Sequence, residues 1–339
     1  MATVKKQEGE VKDKFEDKLK ALESRFGKGA IIHGRDTKEK LEVVPSGSLG
    51  IDIASSCNGL PIGKLIEFLG LESSGKSTLA LHAIANFQKL GKCVLVDYEQ
   101  SFDRTYAEAL NIDMDKLVII QAECLEDGYN ITEELIKTGE VRLVVKDSHT
   151  AGMPRKVVDG ETGDQSVGLQ ARINSQGLGK LKPLLKAHRC TVIGISQIRQ
   201  NIGGYGDPNQ STGGLSWKFY SDMRFKFSKS VDKEGEVNKT KVEIIKNKCG
   251  CPYGIATFNI NWGKGVDREQ EIVDAAVEFK LLTKGGAGWY TIGETKLQGD
   301  DKLKQFMKDN PEYMETLTGQ VMDKLKGEPI EETLEVKQK

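Results

Sequence analysis

The stretch GLESSGKS, residues 70–77, fits the pattern GxxxxGK[ST]. Its glycines leave room for backbone N–H groups to curl round phosphate oxygens, and a helix starting at its end adds a positive pole. On that reading Gly70, Leu71, Glu72, Ser73, Ser74, Gly75, Lys76, Ser77 and Thr78 form an ATP-binding loop. Lys76 reaches the β- and γ-phosphates, and the Ser77 hydroxyl holds Mg2+. The eight-residue pattern also arises by chance. Context separates the two cases: the apolar run LIEFL precedes the loop and STLALHAIA follows it, a strand and then a helix.

Two further carboxylates end strand-like runs. VRLVVKD, residues 141–147, closes on Asp147, a candidate Mg2+ ligand behind the phosphate loop or, alternatively, a strand-end cap. Lys146 is a misfit there, since strands covered on both faces are apolar almost throughout; it is expected to snorkel at the strand's end. VLVDYEQ, residues 94–100, carries Asp97 and Glu99 on either side of Tyr98, which aims both at one face. Glu99 lies further toward the carboxyl edge, where ligands sit in open α/β sheets. It is the choice for the group that positions the attacking water, the alternative being a solvated loop acid. Lys246 and Lys248 stand two apart on a predicted strand, so both side chains share a face.

The elements that position these groups follow from periodicity. KLIEFLG, KCVLVDYE, KLVIIQ, VRLVVKD and CTVIGISQ read as strands; LALHAIANFQKL and ARINSQGLGKLKPLLKAH read as helices. Their alternation predicts a mostly parallel twisted sheet with helices on both faces. MRFKFSKS and KTKVEIIKN, either side of DKEGE, predict an antiparallel pair. Near the start Val11, Phe15, Leu19, Leu22 and Phe26 form one apolar helical stripe that ends at Gly27 and must cover itself on another surface. After about residue 268 the chain predicts a helix over EIVDAAVEFKLLTK, a hairpin over GGAGWYTIG, and helices over DDKLKQFMKDN and PEYMETLTGQVMDKLK. The expected division is an N-terminal helix and linker, 1–33; a nucleotide-binding core, 34–268; a small α+β C-terminal domain, 269–326; and a charged tail, 327–339. One segment resists this scheme: NIGGYGDPNQSTGG, residues 201–214, holds five glycines directly after an apolar strand. A long loop of that kind is either disordered or functional.

The chain has 339 residues, with 49 basic and 50 acidic, so net charge argues neither for nor against a nucleic-acid partner. No apolar run is long enough for a membrane span and no signal core is evident, which predicts a cytoplasmic protein. Cys57, Cys93, Cys124, Cys190, Cys249 and Cys251 lack zinc-like spacing and read as reduced thiols.

Several long motifs in order carry a resemblance. PSGSLGIDIASSCNGLPIGKLIEFLGLESSGKST, VDYEQSFDRTYAEAL, VKDSHTAGMP, GETGDQSVGLQARINSQ, ISQIR, TGGLSWKFY and KNKCGCPY together resemble bacterial RecA recombinases, over most of the chain. The resemblance implies the fold of that family's ATPase core and a DNA-dependent ATPase. Such a protein forms helical filaments on single-stranded DNA, pairs it with homologous duplex and exchanges strands in recombinational repair. It implies ATP and Mg2+ as cofactors, and single-stranded DNA, double-stranded DNA and further copies of the chain as partners, with single-strand-binding and loader proteins beside them. Glu99 takes the place of the catalytic glutamate and Asp147 that of the second nucleotide motif's carboxylate. Asp103 and Tyr106 match the residues that hold and stack on adenine, and Gln197 matches the γ-phosphate sensor. Lys246 and Lys248 match lysines that reach the neighbouring subunit's ATP, and Phe219 falls at an interface position. Residues 159–168 and 198–212 resemble the two DNA-binding loops. With them come Val167, Arg172, Ser175, Arg199, Asn201, Ile202, Gly203, Ser211, Thr212, Gly213 and Gly214 as DNA contacts; Val167 and Ile202 are the wedges between base triplets.

Some positions depart from the family pattern: Ser196 replaces an asparagine, Gly179 a basic residue and Leu215 a polar one, and the second loop is one residue shorter. Other readings of the same loop are a hexameric DNA helicase or motor, a small-molecule phosphotransferase, and a passive single-strand binder. The phosphotransferase lacks a recognisable lid, and the passive binder leaves Glu99 without a purpose.

Overall fold

The computed structural model describes residues 2–27, 31, 41–161, 168–200, 209–211, 214–231, 237–292 and 295–326. By internal contacts it divides into two units, Met1–Leu41 and Glu42–Lys339. The first contains helix α1 (Ala2–Phe26), closed by Gly27 at φ +97°. Its stripe remains open: Phe15 and Phe26 are exposed.

The second unit opens with a two-stranded ribbon, β1 (Val43–Val44) and β2 (Leu60–Pro61), around helix α2 (Leu49–Ala54). The nucleotide-binding segment follows as β3 (Leu65–Gly70), α3 (Lys76–Phe87), β4 (Lys92–Asp97), α4 (Arg104–Ala109), β5 (Leu117–Ile120), α5 (Leu125–Lys137) and β6 (Val141–Asp147). Next come α6 (Arg155–Val158), α7 (Leu169–Ala187), β7 (Thr191–Gln200), β8 (Asn209–Ser211) and α8 (Ser216–Tyr220). The core ends with β9 (Met223–Val231), β10 (Val237–Asn247), β11 (Ile255–Asn261) and β12 (Gly265–Val266).

The strands lie in the order β12-β11-β10-β9-β3-β7-β6-β4-β5. From β9 to β5 neighbouring strands run parallel, and from β9 to β12 they run antiparallel. Every residue of β3 is buried, as expected of a strand covered on both sides. On one face Phe68, Phe225 and Phe227 pack with Leu79, Ala83 and Phe87 of α3. On the other Leu65, Val144 and Val192 pack with Tyr129 of α5, Leu181 of α7 and Trp217 of α8.

Residues beyond 267 build their own apolar cluster from α9 (Arg268–Glu278), a sheet of β13 (Thr283–Lys284), β14 (Trp289–Ile292) and β15 (Thr295–Gln298), α10 (Asp300–Asp309) and α11 (Pro311–Lys326). The helix expected over 271–284 stops at Glu278. Lys280 takes φ +60° and Leu281 N–H bonds the Ala276 carbonyl, a left-handed stop that frees 283–284 to pair with β14. Glu271 of α9 ties this cluster to the core. Its carboxylate accepts from Ser48 Oγ, Leu49 N (3.0 Å) and Gly50 N (3.1 Å), satisfying free N–H groups at the start of α2.

Candidate functional site

The phosphate loop connects β3 to α3. Gly75 sits at φ +91°, and a Cβ on it would lie 2.4 Å from Ile260 Cδ1, so only glycine lets β11 close over the loop. Lys76 is buried, and its ammonium donates to Leu71 O at 2.6 Å and Ser74 Oγ at 3.4 Å. Burial lowers its pKa, opposed by Asp147, Glu99 and Glu72. Beside the loop is a cavity of about 550 Å3. Ser73, Ser74, Gly75, Lys76, Ser77, Thr78, Asp103 and Tyr106 line it, all predicted from sequence. Gly70, Leu71 and Glu72 shape the loop and are not part of that lining.

The cavity also takes Thr105, Ala109, Ile260, Asn261, Trp262 and Gly263, which sequence reasoning missed. Trp262 carried a signal: it sits at a turn between two strands and is 69 % exposed, an unusual place for so large an apolar ring. Asp103 does a structural job as well, capping α4 by accepting from Tyr106 N at 3.1 Å. The Tyr106 hydroxyl meets Thr78 Oγ1 at 3.3 Å.

Asp147 is half-buried at the end of β6, and its pKa is pushed up to about 6 by desolvation and by the charges of Glu99 and Asp97, against a hydrogen bond from Ser77 and the charge of Lys76. One hydroxyl and one carboxylate suit Mg2+, which takes few protein oxygens and completes its shell with phosphate and water. The crowded, partly desolvated carboxylate is relieved by a cation, so the residues present fit ATP with Mg2+. The charges of Asp97 and Glu99 both act on Asp147, but the two carboxylates hold different partners. The strand ends at Asp97, whose carboxylate accepts from Ser101 N (3.3 Å) and Phe102 N (3.0 Å). Glu99 Oε1 instead accepts from Ser148 Oγ (2.5 Å) and Gln197 Nε2 (2.9 Å), which joins the predicted base to the predicted sensor.

Lys146 does not snorkel. It is fully buried, donates to Gly128 O (3.0 Å) and Thr132 Oγ1 (3.3 Å), and lies 4.3 Å from the centre of the Tyr129 ring. One backbone carbonyl, one side-chain hydroxyl and a π-face replace the water it was expected to reach.

Two features bear on nucleic acid. Arg172 and Ser175 are exposed on α7. β7 pairs antiparallel with β8 (Ile198↔Ser211, Arg199↔Gln210, Gln200↔Asn209), so the second loop rises from a two-stranded stem. Of the span 198–212 that the resemblance gives to this loop, residues 198–200 and 209–211 form the stem. Val167, Asn201, Ile202, Gly203, Thr212 and Gly213 lie outside the described residues. Gly214 sits at φ +90° against Ala171. Lys246 Nζ donates to the carbonyls of Lys218 (2.8 Å) and Phe219 (3.1 Å). β10 ends at Asn247, so Lys248 falls just past the strand expected to hold both lysines. Neither lysine lines the cavity. Phe219 is exposed on α8.

A family model described as the RecA N-terminal domain matches residues 13–267, and one described as the RecA C-terminal domain matches residues 270–326. The chain belongs to the RecA family. It is 42 % identical over 327 residues to Protein RecA of Porphyromonas gingivalis, covering 92 % of this chain and 96 % of the relative. It is 42 % identical over 324 residues to Protein RecA of Bacteroides thetaiotaomicron, covering 91 % and 98 %. With Protein RecA of Chlorobaculum parvum the identity is 42 % over 322 residues, 92 % of each chain. This RecA-family chain is a recombinase and a DNA-dependent ATPase, and filament formation and strand exchange are its business. Among the described residues no helix is long and apolar enough to cross a membrane.

Proposed function

We propose that this RecA hydrolyses ATP with Mg2+ in the cavity beside the phosphate loop and uses the nucleotide to govern its hold on single-stranded DNA. The cation, when bound, neutralises charge on the β- and γ-phosphates. Ser77 and Asp147 hold it, Lys76 supports the phosphates, and Trp262 and Tyr106 flank the base. Glu99 orients the attacking water. The observation that carries the reading is the Gln197–Glu99 hydrogen bond at 2.9 Å. Gln197 belongs to β7, the strand that rises directly into the second loop. A γ-phosphate that competes for the Gln197 amide shifts the same strand that leads into the second loop. Lys246 and Lys248, at and just past the end of β10, serve the ATP of the next subunit, with Phe219 in the contact between subunits. Residues 269–326 capture duplex DNA, and single-strand-binding and loader proteins act on the same filament in the cytoplasm.

The test is electron microscopy and hydrolysis on the same sample. With single-stranded DNA and a non-hydrolysable ATP analogue the chain is expected to form helical filaments, and with ATP its turnover is expected to rise on adding DNA. Glu99→Gln is expected to keep the filaments and lose the turnover. Closed rings in place of helices, or full turnover in Glu99→Gln, would refute the scheme.

A further inference from the structure

The tripeptide Ser148-His149-Thr150 follows β6 and faces two ways. Ser148 Oγ donates to Glu99 Oε1, and Thr150 Oγ1 accepts from Gln197 N at 3.4 Å. Those two residues therefore hold the hydrolytic carboxylate and the sensor strand. His149 between them is turned inward and fully buried. Its Nε2 lies 2.6 Å from Ser196 Oγ, and its ring stacks on Trp217 at 4.3 Å between centroids and 12° between planes.

The proton positions follow from the donors present. The single hydroxyl proton of Ser196 goes to Glu67 Oε1 at 2.7 Å, and Glu67 Oε2 takes the buried Arg224 guanidinium. Ser196 Oγ is then an acceptor toward His149, so the ring donates from Nε2. Nδ1 carries no proton and has no hydrogen-bond partner among the described residues, and burial keeps the imidazole neutral, its pKa lowered to about 3. The Trp217 ring fits over β7 because residue 194 is glycine; a Cβ there would stand 2.2 Å from the indole. Trp217 belongs to α8, the helix that exposes Phe219 and whose carbonyls at 218 and 219 hold the Lys246 ammonium.

We propose that His149 is a positioning residue that couples the hydrolytic side of this RecA to its subunit-contact and DNA-loop side. The ring is fixed at once to β7 through Ser196 and to α8 through Trp217, while the backbone that carries it is fixed to Glu99 and Gln197. A displacement of Gln197 on the phosphate side therefore reaches α8, Phe219 and Lys246 through one rigid aromatic pair. The inference rests on the preceding reading of Gln197 as the nucleotide sensor.

The test separates binding from coupling. His149→Phe keeps a flat ring on Trp217 and removes the Nε2 donor; His149→Gln keeps an amide donor of similar reach and loses the stack. For each variant three quantities are measured: thermal melting, affinity for a fluorescent ATP analogue, and the ratio of single-stranded-DNA affinities with non-hydrolysable ATP and with ADP. Coupling between sites is commonly about 5–150-fold. His149→Phe is expected to reduce the parent's ratio about fivefold or more while nucleotide affinity stays within about twofold. His149→Gln is expected to lie between the two. Ser196→Ala, which deletes the acceptor and leaves both rings, is expected to match His149→Phe and carries the test where that variant melts too low to assay. An unchanged ratio in folded His149→Phe and Ser196→Ala overturns the proposal. So does a fall in nucleotide affinity that matches the fall in the ratio, because a merely structural lesion does that. A parent chain whose DNA affinity ignores the nucleotide overturns the sensor reading itself, a result visible before any variant is made.

Discussion

Lys146→Met replaces a fully buried ammonium by an apolar chain of similar length, and its effect on stability has a computable sign. Alternation along β6 sets Lys146 on the opposite face from Asp147, under Tyr129 of α5. Burial lowers its pKa from 10.5 to about 7, with no carboxylate opposing. Each tenfold change in proton affinity is about 1.4 kcal/mol. At pH 7 the burden of the buried lysine is therefore on the order of 4 kcal/mol relative to the unfolded chain. Against this stand the cation–π contact with Tyr129 and two modest hydrogen bonds, together about 2 kcal/mol. Thr132 Oγ1 still donates to Gly128 O in the variant, so neither group is orphaned. Lys146→Met is expected to be about 1–3 kcal/mol more stable than the parent at pH 7. Between pH 7 and 10.5 the unfolded chain binds more protons than the folded one, so this contribution to stability rises with pH. By pH 9 the burden has fallen by about 2 kcal/mol and the two proteins are expected to be level. Chemical denaturation of both at pH 7, 8 and 9, followed by tryptophan fluorescence, measures the gap directly. A gap that stays constant with pH, or widens, would refute the reasoning, since taking the difference removes every other titrating group.

Lys76→Ala is expected to abolish hydrolysis and strand exchange, because the phosphates lose the ammonium that the loop itself supplies; strand-exchange assays check it. Trp262→Ala is expected to weaken nucleotide binding by about 1–3 kcal/mol, the usual worth of an aromatic ring stacked on a base, read by fluorescence titration. In filaments mixed from Lys76→Ala and Lys248→Ala subunits, ATP turnover is expected to recover where the first donates its lysines to the second. Turnover no better than either variant alone, with co-assembly verified, would place the whole site within one chain.

What the sequence disclosed and what it hid divide along chain distance. The phosphate loop was legible because its parts are consecutive and the strand and helix around it are strongly apolar. The stem of the second loop was not: Asn209-Gln210-Ser211 is polar and short, and only its pairing with β7 makes it a strand. Trp262 joins the cavity from the turn just after β11, a strand whose burial alternates and whose place over the loop depends on Gly75 meeting Ile260. The end of α9 was overrun because KLLTK continues an apolar pattern, while the stop is set by the backbone of Lys280. His149 gave no signal by itself. Its meaning depends on Trp217 and Ser196, which arrive from two later elements, although the serine at 196 was already noticed as a departure from the family pattern.

The strand order has a consequence for how the molecule is made. β4, β5 and β6 pair with one another and can form a small sheet as soon as residue 147 has been synthesised. β3 cannot join them, because its neighbours are β7 and β9. β7 is the keystone: its other edge receives β6, so its arrival closes the sheet. About 120 residues separate the end of β3 from its partner in β7, which at roughly 5–20 residues per second is a wait of roughly 6–24 s on the ribosome. For that interval LIEFLG is an apolar strand with two open edges, a ready target for misassociation and for chaperones. A nascent chain arrested before β7 has a phosphate loop in its sequence and no nucleotide site in its structure.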